Sequence, residues 1–215
     1  IKQGRLRIAA VTTTKYFMPR LLGPFCAQYP GVDIALEVVN RDRLLERLAR
    51  NQDDLYVMGV PPDELDIERE PFLDNPLVVL APVSHRLARR KRIPFAALAN
   101  EPFVLRERGS GTRLTVERVF QEHNVPLKIR MELGSNEAIQ QAVAGGLGLT
   151  ILSRSTLSPD PGDRDLAVLN VEGFPIERHW YVVRARHKQL SVVAQTFLDF
   201  LRTHVQLLEP RKGKP

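Results

Sequence analysis

The sequence predicts an α/β protein made of two halves of similar logic. Three observations carry that prediction. Strand-like alternation and helix-like spacing of apolar residues follow one another repeatedly along the chain. The pattern breaks once, in an acidic, proline-bearing stretch at 61–76, and then resumes. The length, 215 residues, suits one large domain or two small ones. Strand–helix–strand alternation of this kind implies a parallel sheet with crossover helices.

Each element has its own signal. Leu6, Ile8 and Ala10 alternate with Arg5, Arg7 and Ala9, and Val11 extends the strand. Thr12, Thr13 and Thr14 stand where a helix N-cap is expected. Phe17, Leu21, Leu22, Phe25, Cys26 and Tyr29 recur at helical spacing, and Pro19 lies in the first turn, where a missing N–H costs little. Pro30-Gly31 stops that helix. Val32, Ile34, Leu36 and Val38 alternate as a second strand, and Asn40 caps a helix carrying Leu44, Leu45 and Leu48 on one side. Residues 55–60 read as a short buried strand, and 77–81 as another beyond the acidic break. A crossover into the second half is placed near 81–85.

The second half repeats the theme. A strand at 102–106 leads through Gly109-Ser110-Gly111-Thr112 into a helix reaching about His123, with Val116, Val119 and Phe120 inward. A strand at 128–133 leads through Gly134-Ser135-Asn136 into a helix whose inward face is Ala138, Ile139, Ala142 and Val143. Gly145-Gly146 ends it, and 149–152 is a buried strand. A Ser-, Pro- and Asp-rich loop at 153–165 precedes strands at 166–171 and 179–184, either side of a turn at Gly173. A last helix at 191–204 presents Val192, Val193, Phe197, Phe200 and Leu201. The final strand and helix are expected to rejoin the first half. The boundaries that follow are 1–81 with 178–206, 82–177, and a disordered tail at 207–215. Two crossovers make a hinge, and a cleft between the halves is the natural binding site.

Composition narrows the function. Hydrophobic residues make up 43% and charged residues 26%, which suits a globular domain and excludes a disordered one. No apolar run approaches the roughly 20 residues of a membrane span, so no membrane partner is expected. A single cysteine, Cys26, excludes an internal disulfide and a Cys-based zinc cluster, and its helical position predicts an inert buried thiol. The start at Ile1, with nothing like a signal peptide after it, reads as a fragment of a longer chain.

The net charge of +6 and pI near 9.8 invite a nucleic-acid reading. The charge is local, however. Residues 178–215 hold 8 basic residues against 2 acidic, which accounts for the whole excess. The run at 86–92 has five cations in seven but no aromatic interleaving, and no helix-turn-helix is visible. An enzyme is not expected either. The phosphate-loop, nucleophile-elbow and zinc-protease motifs are missing from the sequence, and His85, His123, His179, His187 and His204 are scattered. No catalytic or metal-ligating residue is assigned.

Three segments share one physical property. Thr12-Thr13-Thr14, Gly109-Ser110-Gly111-Thr112 and Gly134-Ser135-Asn136 each stand between a strand and a helix N-terminus. Each offers polar groups and free backbone N–H donors at the positive end of a helix dipole. In open α/β sheets ligands bind beyond the carboxyl ends of the strands, where these segments sit. Together they describe a site for a small carboxylate or phosphate, with Arg106 and Arg108 placed to add charge. The plain alternative is three helix caps worth about 1 kcal/mol each.

Several stretches, in this order and spacing, resemble the effector-binding domain of LysR-type transcriptional regulators over residues 4–204. They are Gly4-Arg5-Leu6-Arg7-Ile8-Ala9-Ala10, 19–32, Leu44-Leu45-Glu46-Arg47-Leu48, Ala81-Pro82-Val83-Ser84-His85-Arg86-Leu87-Ala88 and 145–153 (GGLGLTILS). The stretches 101–113 (EPFVLRERGSGTR), 132–142 (ELGSNEAIQQA) and 171–183 (VEGFPIERHWYVV) resemble the subgroup that regulates carbon-fixation (Calvin-cycle) genes. The basic run after His85 departs from the family, which usually has a milder loop with a proline there.

The resemblance implies two Rossmann-like subdomains joined by two crossover strands, a periplasmic-binding-protein-like fold with the effector in the cleft between them. It implies effector contacts at Thr12, Thr13, Thr14, Arg108, Ser110, Gly111, Thr112, Ser135, Asn136, Gly148 and Thr150. It implies no cofactor beyond a small-molecule effector such as ribulose bisphosphate, phosphoglycolate or NADPH. It also implies a cytoplasmic protein that is a dimer, tetrameric at full length, touching DNA only through a winged helix-turn-helix before Ile1. A solute-binding protein of a transport system is the alternative, since it uses the same physics.

Overall fold

The structure is a computed structural model that describes residues 3–158 and 165–208. It divides into two compact units, Ile1–Asp74 with His179–Pro215, and Asn75–Arg178.

In the first unit, β1 (Gly4–Val11) runs parallel to β2 (Val32–Val39) on one side and β3 (Leu55–Met58) on the other. The returning strand β10 (His179–Ala185) pairs antiparallel with β3 and with β4 (Ile67–Asp74), giving the order β2-β1-β3-β10-β4. Period-two alternation splits the core into two layers. Leu6, Ile8 and Ala10 face α1 (Met18–Gln28) and α5 (Val192–His204), where Phe25, Phe197 and Phe200 stack edge to face. Ala9 faces the other way, onto Leu44 and Leu48 of α2 (Arg41–Ala49). The last strand and helix, β10 and α5, lie in the first unit.

The second unit repeats this arrangement. Strands β6 (Pro102–Arg106) and β7 (Lys128–Leu133) are parallel, and the parallel bridge Phe103–Leu149 brings β8 (Thr150–Ser153) alongside. Strand β5 (Leu77–Pro82) pairs antiparallel with β8 and with β9 (Leu166–Leu169). The order is therefore β7-β6-β8-β5-β9. Each unit has three parallel strands, then an antiparallel crossing strand, then an antiparallel edge. One face packs on α3 (Gly111–Glu122) through Phe103, Leu105, Val116 and Phe120; the other packs on α4 (Asn136–Ala144) through Val104, Ile139 and Val143.

The structure corrects several expectations. The sheets are mixed, because both crossing strands run against their neighbours. The division falls at Asp74/Asn75, not near 81–85, because β5 makes all its strand pairs within the second unit. The acidic stretch contains β4, whose alternating charges are matched across the sheet and helix by Arg184 on Glu68 and Arg202 on Glu70. Cys26 is exposed, because Met18, Leu21 and Phe25 define the buried stripe of α1 and Cys26 lies one step, about 100°, beyond it. Ala138 and Val192 are likewise outside their stripes, Val192 at 74% exposure. Residues 207 and 208, expected in a disordered tail, are ordered: Leu207 ends a 3-10 turn and Leu208 is 5% exposed within the first unit's core. Residues 209–215, and 159–164 of the serine-proline loop, lie outside the described residues. Among the described residues, no helix is long and apolar enough to cross a membrane.

Candidate functional site

At the carboxyl edge of the first unit, Thr12–Tyr16 forms a 3-10 turn, and α1 starts later, at Met18, with Phe17 as its N-cap. The threonines are therefore not the helix cap expected of them. Thr14 donates its hydroxyl to Val11 O at 2.7 Å, and Thr12 to Val39 O at 3.4 Å, tying the turn to the ends of β1 and β2. Asn40, next to that contact, caps α2 by accepting Arg43 N–H at 3.1 Å.

At the carboxyl edge of the second unit the expected caps form. Ser110 caps α3, accepting Arg113 N–H at 3.5 Å, and Ser135 caps α4, accepting Ala138 N–H at 3.3 Å. Gly109, at φ +90°, makes the turn that delivers Ser110. Beneath them lies an ionic lattice. Arg106, 4% exposed, grips Glu107 at 2.8 and 2.9 Å and donates to Asn136 Oδ1 at 3.0 Å. Arg113, also 4% exposed, donates to Glu117, Glu132 and the carbonyl of Arg106. The Arg108 backbone N–H and the Arg113 side chain hold the Glu132 carboxyl below its ordinary range. The Arg108 side chain is exposed.

Local charge ranks the two helix starts. The first turn of α4 carries Glu137, to which Ser135 donates at 3.1 Å; the first turn of α3 carries no acid. An anion is therefore better placed at α3, because a carboxylate already occupies the positive end of the α4 dipole.

Gly148 and Thr150 stand apart from these groups. They lie about 16 and 10 Å back along the β8 direction from Ser153, at roughly 3.3 Å per residue. Gly148 is where the chain presses on Pro102. Thr150 is fully buried, and its hydroxyl has no partner within the structure.

Two residues that sequence reasoning passed over complete this edge. Asn75 is fully buried, with its Oδ1 accepting from Ser153 at 2.7 Å and its Nδ2 unpartnered. Arg178 donates to Thr115 Oγ1 at 3.2 Å through Nη1 while its buried Nε is unpartnered. Burial first, and the charge of Arg118 second, pull its guanidinium down to about 10. Among the described residues, no group of three His, Cys, Asp or Glu could hold a metal ion. The basic run at 86–92 is partly a 3-10 turn anchored by buried Leu87, with Arg86 and His85 both reaching the buried Glu101.

The model of the LysR substrate binding domain matches residues 2–206. The chain belongs to that family. This LysR domain is 54% identical over 204 residues to the transcriptional activator CmpR of Synechocystis, covering 95% of the chain and 67% of the relative. It is 51% identical over 201 residues to a RuBisCO operon transcriptional regulator of Acidithiobacillus ferrooxidans, covering 94% and 65%. The chain thus spans about two thirds of the length of these relatives. Among solved structures it is similar to the Synechocystis CcmR regulatory domain in complex with 2-PG, 2-phosphoglycolate (TM-score 0.91, 50% identity, 95% of this chain and 98% of that one). The effector binding domain of QuiR, at 20% identity and TM-score 0.84, shares the fold. That fold is the two-subdomain, periplasmic-binding-protein-like one of LysR effector-binding domains. A transport solute-binding protein is not favoured, because the relatives are transcriptional regulators of carbon-fixation genes.

Proposed function

We propose that this LysR domain is the effector-sensing part of a transcriptional regulator of carbon-fixation genes, with a small phosphate-bearing metabolite as its effector. The observation that carries this reading is the likeness, at 50% identity over nearly the whole chain, to a CcmR domain complexed with 2-PG. The first turn of α3, which carries no acid of its own, supports an anionic ligand with Ser110, Gly111 and Thr112. Arg108, Ser135, Asn136 and the turn Thr12-Thr13-Thr14 remain candidate contacts; Gly148 and Thr150 fit an architectural role better.

DNA contact belongs to a winged helix-turn-helix in the third of the relatives that this chain does not match. The whole protein is a cytoplasmic dimer or tetramer and not an enzyme. Regulation follows from differential affinity: a metabolite that binds one conformation better shifts the population towards it, by no more than that difference. Ribulose bisphosphate and NADPH are the other effectors to compare.

The test is calorimetric titration of the chain with 2-phosphoglycolate, ribulose bisphosphate and NADPH, checked by thermal shift. A bound metabolite at a hundred times its Kd raises stability by about 2.7 kcal/mol. Ser110→Ala with Thr112→Ala is expected to weaken binding in a chain that still folds. If none of the three metabolites binds, the reading is wrong.

A further inference from the structure

Asn75 and Arg178 are the first and last residues of the second unit. They also face one another. Asn75 N–H donates to Arg178 O at 2.7 Å, continuing the antiparallel register set by Leu77 and Ile176. Opposed residues of antiparallel neighbours project to the same side. That side is the α3 face, since Leu77 packs in the α3 core and Arg178 reaches Thr115 on α3.

The hydrogen bonds of this pair do not balance. Ser153 Oγ accepts Ser155 N–H at 3.2 Å and donates its own hydrogen to Asn75 Oδ1, which turns the Nδ2 donors away. Arg178 spends one Nη1–H on Thr115 and, among the described residues, has no carboxylate in its hydrogen bonds or ion pairs. Buried donors without acceptors are costly and uncommon, and a half-buried guanidinium without a counter-charge adds to that cost. Both orphans are donors, so the group they suit is an acceptor. Next to a guanidinium, an anionic oxygen is favoured over a neutral one.

We infer that Asn75 and Arg178 form a binding site for an oxyanion, the carboxylate or phosphate end of a small metabolite, at the carboxyl edge of β8. The inference rests on the proposed function only for the identity of the metabolite; the site itself follows from the orphaned donors. Arg178 supplies the charge through Nε–H and its remaining Nη hydrogens. Asn75 supplies a neutral donor whose orientation Ser153 fixes. Thr115 holds the guanidinium in place and is a positioning residue.

The experiment uses this chain, wild type, Arg178→Gln and Asn75→Asp, melted in inorganic phosphate and in chloride of equal ionic strength. Asn75→Asp keeps the acceptor that Ser153 needs and gives Arg178 an internal carboxylate. It should therefore melt in chloride no lower than wild type, which separates loss of the site from loss of the fold. Phosphate is expected to raise the wild-type melting temperature and to leave both variants unmoved. The affinity for 2-phosphoglycolate or glycolate should fall roughly tenfold or more in each, the scale of one lost charge-assisted hydrogen bond.

An equal phosphate response in all three proteins overturns the site. So does a wild type that responds to none of phosphate, glycolate and 2-phosphoglycolate. If 2-phosphoglycolate binds all three equally, this site falls and the proposed function stands. If the phosphate response needs both residues but no metabolite outdoes phosphate, the site stands and the proposed effector class falls.

Discussion

Gly148→Ala separates architecture from binding at a position that family resemblance alone assigns to the effector. Gly148 has φ +149°, and a Cβ there would stand 2.4 Å from the Pro102 carbonyl oxygen and 3.0 Å from its carbon. Ordinary contact requires the strand to retreat by about 1 Å. The retreat falls on the two hydrogen bonds that join β6 to β8, Leu149 N–H to Pro102 O at 2.9 Å and Val104 N–H to Leu149 O at 2.8 Å. Backbone strain contributes about 1–3 kcal/mol, and each weakened bond about 1 kcal/mol. The expected loss is thus about 3–5 kcal/mol, or a fall in Tm of about 6–20 °C for a chain of this size. Thermal melting followed by circular dichroism measures it. Effector titration well below the melting temperature should give wild-type affinity. A fall in Tm under about 3 °C would refute the packing argument, and lost affinity with an unchanged Tm would return Gly148 to the binding site.

Phe25→Ala should cost about 3–5 kcal/mol in denaturant unfolding, because the ring is fully buried between Phe197 and Phe200 at 5.1 and 5.3 Å; a loss under about 1 kcal/mol would contradict that packing. Arg202 holds the Glu70 carboxyl below its ordinary range, so the pair stabilises the fold above the unfolded-state pKa and that contribution fades as pH falls through the depressed folded value. With Glu70 and Arg202 largely in water, Glu70→Gln is expected to cost no more than about 1 kcal/mol at pH 7, and the difference from wild type should shrink in acid; a difference that grows towards low pH would reverse the assignment. Cys26 is exposed, so a thiol reagent should label the native chain fully without denaturant, and Cys26→Ser should leave the melting temperature unchanged; protection in the native state would restore the buried-thiol reading.

Much of the fold was legible because it rests on local pattern. The alternation of Leu6, Ile8 and Ala10 gave β1, and the segments carrying Ser110 and Ser135 placed two helix starts. What escaped depends on partners distant in sequence. Strand β4 reads as part of an acidic, proline-bearing break until Arg184 and Arg202, more than a hundred residues away, neutralise its glutamates. Cys26 escaped for a different reason: six apolar residues at helical spacing cover more than one stripe, and only tertiary packing decides which ones are buried. The threonine turn escaped because a 3-10 turn and a helix N-cap share a composition.

The site was half legible for a topological reason. Ser110 and Ser135 follow parallel strands, so the strand-to-helix rule finds them. Asn75 precedes a strand, and the same rule passes over it. Yet β5 crosses antiparallel to β8, so its amino end, not its carboxyl end, lies beside Ser153 at the ligand edge. Arg178 reaches that edge by the same reversal, as the antiparallel partner of Asn75. In a sheet of three parallel strands and one crossing strand, the residue just before the crossing strand therefore belongs with those just after the parallel ones. Polar side chains at that position are binding candidates even though no helix follows and no glycine-rich turn marks them. In the first unit β10 crosses in the same way, antiparallel to β3 with Tyr181 opposite Met58.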